Sequence, residues 1–166
     1  MRDRTEWVLL CLWLASMGCG RASDPQPEDC REGAAGTCER LDDGCFADGR
    51  VVGLERAGED CVLSLGTDTT GAWEQTLDGC DEGETAWADL RVDADVPDGA
   101  TMRVSYRLMQ DVLVPVGLPW TALDGGEADL QGQRGQFLDV RVELRTGDGG
   151  DSPVLRGVSV GRRCAP

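Results

Sequence analysis

The chain contains no lysine, no asparagine, no isoleucine and no histidine. Each absence removes a class of chemistry. Without histidine there is no Ser-His-Asp triad, no Cys-His nucleophile and no histidine-ligated zinc. Without lysine there is no Schiff base, no Ser-Lys dyad and no P-loop. Without asparagine there is no acceptor for N-linked glycosylation. Most of the missing residues have AT-rich codons, whereas the abundant Gly, Ala, Arg and Asp have GC-rich ones. The gaps therefore point to a GC-rich genome of bacterial type, and the missing lysine reflects coding bias. No cofactor-binding motif occurs, and no cofactor is expected.

Positive charge is also scarce. Sixteen bases, all arginine, face 31 acids for a net charge of -15 across 166 residues. Such a surface repels phosphate backbones, so nucleic acid is not an expected partner. The acids keep the chain soluble; calcium binding is the sharper alternative. Asp93, Asp95 and Asp98 open a run that looks like the start of a calcium loop. Pro97, however, occupies the third ligand position and no Glu closes the loop. Asp148 and Asp151 form a second candidate, although aspartates are ordinary turn residues. Two-carboxylate hydrolysis needs only a pair of acids at the right separation, and in so acidic a chain a pair is no signal.

Long apolar runs are missing except near the start. Residues 8–17, VLLCLWLASM, fit the hydrophobic stretch of a signal peptide and fall short of the ~20 residues that span a bilayer. Ser16-Met17-Gly18-Cys19 resembles the bacterial lipoprotein signal, in which a small residue precedes a cysteine that is acylated and becomes the new N-terminus. The resemblance implies a signal peptide over residues 1–18, a lipidated Cys19 and a membrane partner through that lipid. Residues 19–29 then read as a flexible tether. Gly20 lacks the Asp that retains some lipoproteins at the inner membrane, so the outer membrane is the expected address. The competing site, Gly20-Arg21-Ala22, would release a secreted chain starting at Ser23.

Of eight cysteines, Cys11 leaves with the leader. With Cys19 lipidated or removed, Cys30, Cys38, Cys45, Cys61, Cys80 and Cys164 remain, and six can pair completely in an oxidising compartment. Their spacing leaves the connectivity open. Residues 30–48 hold three of them with few apolar side chains, which describes a segment that needs disulfide staples.

Residues 49–166 carry a period-two pattern. Ala88, Leu90, Val92 and Ala94 share one face, opposite Asp89, Arg91 and Asp93. Met102, Val104, Tyr106 and Leu108 alternate with Arg103, Ser105 and Arg107. Pro97-Asp98-Gly99 between these runs reads as the turn of an antiparallel hairpin. Residues 138–145, LDVRVELR, alternate throughout, and a Gly/Asp-rich turn leads into a last strand over residues 154–160. Weaker strands are expected over residues 50–54, 61–65 and 111–116. No stretch has a helical period. The expected fold is all-β, an antiparallel β-sandwich of jelly-roll type with a short Cys-rich N-terminal segment. On this reading the arginine-bearing outer faces are solvated sheet surface.

Residues 135–160, GQFLDVRVELRTGDGGDSPVLRGVSV, resemble the closing hairpin of β-sandwich modules in bacterial secreted, cell-surface and phage-tail proteins. Trp87, the run Val96-Pro97-Asp98-Gly99-Ala100 and Trp120 fit the same layout. The resemblance implies an accessory, adhesion or carbohydrate-contacting domain.

Aromatic residues are few: five Trp, one Tyr and two Phe. Trp7 and Trp13 leave with the leader. Strict alternation turns Trp87 away from the apolar face, so Trp87 and Trp120 are the candidate ligand contacts. The functional expectation is a non-catalytic exported lipoprotein serving in structure or adhesion, partnered with a surface polysaccharide or an envelope protein. A secreted carbohydrate-binding module is the alternative, and a carboxylate-based hydrolase comes third.

Overall fold

The computed structural model describes residues 37–40, 43–58, 61–81, 84–111 and 118–165. In chain order these form β1 (Thr37–Arg40), the helical turn α1 (Asp43–Phe46), β2 (Arg50–Val52), β3 (Glu55–Ala57), β4 (Val62–Ser64) and β5 (Thr70–Asp78). There follow β6 (Glu84–Asp95), β7 (Thr101–Met109), β8 (Thr121–Leu123), β9 (Glu127–Asp129), β10 (Phe137–Arg145) and β11 (Val154–Ala165). One sheet runs β3-β4-β11-β6-β9, with β1 also paired to β11; the other runs β2-β5-β10-β7-β8. All strand pairings are antiparallel. The fold is the antiparallel β-sandwich that the alternation implies.

Hydrophobic burial explains the layering. β10 turns Leu138, Val140, Val142 and Leu144 into the space between the sheets, while Arg141, Glu143 and Arg145 take the opposite face. Across the gap Leu63, Leu90, Leu155, Val158 and Val160 complete one apolar cluster with Trp73, Trp87 and Phe46. The Cys-rich stretch contributes to this core and sheet. α1 buries Phe46 edge-on against Trp73, with ring centroids 5.5 Å apart, and β1 extends the larger sheet.

Two expected hairpins are arches instead. β6 and β7 lie in different sheets, as do β10 and β11. The turn signals are real, but turn chemistry and alternation do not say whether the next strand pairs with its predecessor or crosses the core. Here both connections cross at the same end of the sandwich. A Cβ on Gly147 would lie 2.6 Å from the carbonyl carbon of Gly99, so the two turns meet backbone to backbone.

β5 is a further strand, nine residues long, that the alternation does not announce. Its inward positions are Gly71, Trp73, Gln75 and Leu77, so half of them carry no apolar side chain and the period-two signal is diluted.

Two disulfides fasten the described chain. Cys45–Cys61 joins α1 to the approach of β4, and Cys80–Cys164 joins the exit of β5 to the end of β11. Both suit an extracellular or periplasmic protein. Cys19 and Cys30 lie outside the described residues, and Cys38 is described only through the backbone of β1. Among the described residues no helix is long and apolar enough to cross a membrane.

Candidate ligand-binding face

The outer face of the five-stranded sheet follows directly from strand register, because residues directly opposite in an antiparallel pair share a face. Asp139 on β10 lies between Thr76 on β5 and Arg107 on β7. Arg141 lies between Glu74 and Ser105, and Arg50 on β2 lies beyond Glu74. Glu143 lies between Ala72 and Arg103, and Arg145 between Thr70 and Thr101.

The first of these rows is a locked polar network. Thr76 donates its hydroxyl to Asp139 Oδ1 at 2.5 Å. Arg107 donates Nε at 2.7 Å and Nη2 at 2.6 Å to Asp139 Oδ2. Asp139 is only 2% exposed although it is on the outer side of the sheet. A buried carboxylate is tolerated when it is paired and hydrogen-bonded, and this one is both.

Trp120 completes the row. It immediately precedes β8, whose Thr121 pairs with Tyr106, so the chain brings the indole alongside Arg107. The guanidinium carbon sits 4.4 Å from the ring centroid, within cation–π range. Trp120 is half-buried and braced on one side by a side chain that is itself held by a buried acid. Further along the same face Arg141 Nη2 donates to Glu143 Oε1 at 2.9 Å. Arg141 Nε is buried with no hydrogen-bond partner among the described residues.

Trp87 does not belong to this face or to any surface. It is 1% exposed, and its Nε1 donates to the carbonyl of Gly135 at 2.9 Å. The exposed position expected from strict alternation is wrong because β6 bulges against β11. Leu90 pairs with Val160 and Trp87 with Arg162, so β6 spends one more residue than its partner. The extra residue inverts the phase and sends both Trp87 and Leu90 into the core.

The candidate calcium residues are scattered. Asp93, Asp95, Asp98, Asp148 and Asp151 are all exposed, and Asp95 is paired with Arg156. Among the described residues no three His, Cys, Asp or Glu side chains gather as a metal site. Asp89, Glu127 and Asp129 line a shallow groove of about 300 Å³ along the β6–β9 edge, together with Arg91.

The Arg107–Asp139 pair has no signature along the chain. Alternation correctly puts both residues outward, and outward charges read as solvated surface. Only the pairing of strands 32 positions apart brings them together, and no local signal reports that.

No protein-family model matches the chain, and no curated protein sequence does. Among solved structures it is similar to a family two carbohydrate esterase from Cellvibrio japonicus, with 11% identity and a TM-score of 0.41. That likeness covers 79% of this chain and 36% of the esterase, so the chain spans about a third of that protein's length. It is also similar to TmCBM61, solved in complex with β-1,4-galactotriose, with 8% identity, a TM-score of 0.39, and coverage of 76% and 94%. Neither likeness bears on the chemistry of the face described above.

Proposed function

We propose that this chain is a non-catalytic exported lipoprotein that holds a carbohydrate of the cell envelope against the outer face of its five-stranded sheet. The observation that carries the reading is Trp120. A sugar's C–H face stacks on an indole, and an indole already fixed by Arg107 and Asp139 loses little freedom on binding. Export is supported by the leader and by the two disulfides, and anchoring by the lipoprotein-like signal that ends in Cys19. A binding role rather than catalysis is supported by Asp139, the one buried acid among the described residues. Both its oxygens are engaged by Thr76 and Arg107, so it is not presented to a substrate.

Two measurements test this reading. Wild-type protein is expected to retain members of a glycan panel that the Trp120→Ala variant releases; a panel with no retained glycan rejects the binding role. The intact mass of the cell-associated protein is expected to show an acylated chain beginning at Cys19. A chain beginning at Ser23 removes the anchor and leaves a secreted module.

A further inference from the structure

In a chain of net charge -15, the outer face of the five-stranded sheet stands apart. Among the described strand residues it gathers Arg50, Arg103, Arg107, Arg141 and Arg145, with the acids Glu74, Asp78, Asp139 and Glu143. The β6–β9 edge of the other sheet is the opposite case, with Asp89, Asp93, Asp95, Glu127 and Asp129 near Arg91 and Arg156. The strand residues of the five-stranded sheet's outer face therefore carry more bases than acids in a chain of net charge -15, which makes it, of the faces that the register defines, the least repellent to an anion.

The arginines are not equivalent. Arg107 is committed to Asp139 and Trp120. Arg141 uses Nη2 on Glu143 and keeps Nε without a hydrogen-bond partner among the described residues. Arg103 and Arg145 are exposed, and neither has an ion pair among the described residues. Arg103 is opposite Glu143 and therefore diagonal to Arg141 and Arg145, about 7–8 Å away in each case. Register thus sets three arginines as neighbours of Glu143, and of these Arg141 is the one that contacts its carboxylate among the described residues. This cluster lies on the same face as Trp120, one to three side-chain rows from the Arg107–Asp139 row, or about 7–20 Å along the strands.

We infer that the ligand of this face is an acidic polysaccharide whose charge is carried by carboxylates on the sugar rings, a polyuronate. The inference rests on the reading of Trp120 as a sugar contact and adds the class of sugar. A uronate carries its charge on the pyranose itself, so one chain lying on the sheet offers both a stacking face for Trp120 and carboxylates for Arg141, Arg103 and Arg145. Arginine's planar fork matches a carboxylate in bidentate fashion. A neutral glycan would use the indole and leave the arginine cluster unused.

The test uses the mature chain with its disulfides intact against immobilised polygalacturonate, neutral galactan and inorganic polyphosphate. Polygalacturonate is expected to bind best. Its binding is expected to weaken about five- to tenfold in the Arg103→Gln/Arg145→Gln double variant, and to fall again near 1 M salt, where the Debye length is about 3 Å. Both substituted side chains are exposed, so an unchanged denaturation midpoint separates lost binding from lost folding. Equal binding of galactan and polygalacturonate, or an unaltered double variant, overturns the inference and leaves the Trp120 reading standing. Polyphosphate binding at or above polygalacturonate overturns it in favour of a phosphate ligand. Retention of none of the three overturns both.

Discussion

Arg107 and Asp139 face each other directly across the β7–β10 ladder, and the guanidinium places two nitrogens, at 2.7 and 2.6 Å, on a single carboxylate oxygen. Two further side chains of the candidate site rest on this pair. Thr76 takes the other carboxylate oxygen, and Trp120 lies against the guanidinium.

Asp139→Ala should therefore destabilise the fold and free the indole together. The Arg107 side chain is 15% exposed, so it would become a largely buried charge without its partner. The expected loss is about 3 kcal/mol, and replacing both partners by apolar residues should recover much of it. Denaturant midpoints measure the loss, and a red-shifted Trp120 emission reports the release. A loss below about 1 kcal/mol would mean that the pair behaves as an exposed ion pair.

Trp87 and Trp120 should differ several-fold in what truncation costs. Trp87→Ala removes a core indole and its hydrogen bond to Gly135, for an expected cost of about 3–5 kcal/mol. Trp120→Ala removes a half-buried ring and one cation–π contact, for about 1 kcal/mol. Thermal unfolding of the two variants side by side checks this, and equal costs would contradict the bulged register of β6.

Gly49→Ala is expected to cost about 1–3 kcal/mol by overpacking. A Cβ there would lie 1.9 Å from Trp73 Nε1, a nitrogen that is buried and has no hydrogen-bond partner among the described residues. Trp73→Phe removes that nitrogen, so the double variant should be more stable than the sum of the two single losses implies. Strict additivity in a double-mutant cycle would remove the proposed clash.

The two disulfides should differ in worth. Chain entropy alone assigns about 4.5 kcal/mol to Cys80–Cys164, whose partners are 84 residues apart, and about 3 kcal/mol to Cys45–Cys61, 16 apart. Paired Cys→Ser variants compared by denaturant unfolding give the order directly. A larger loss from the shorter loop would show that the anchoring of α1 and Phe46 outweighs loop length.

Much of the fold was legible along the chain. The alternation of residues 138–145 marks β10 and its two faces without ambiguity, because a strand with one buried side must alternate. Strands with strong alternation were found, and those with polar or glycine residues on the inner face, such as β5, were not. The short strands β8 and β9 offer three residues each, too few for a period to show. The candidate site was half legible: Trp120 was singled out, whereas Arg107 and Asp139 passed as ordinary surface charges.

By itself the sequence determined the acidic balance, the β class, the supply of cysteines for disulfides and the chemistries that missing residues forbid. These are properties of composition and local pattern. Tertiary structure alone decided three further things. It sent two connections across the core, because a turn does not specify which sheet receives the next strand. It inverted Trp87, because a bulge shifts the phase of everything before it. And it made a locked Arg107–Asp139–Trp120 row from residues distant in sequence, because register is set by burying the opposite face of each strand, and the outer neighbours follow from that.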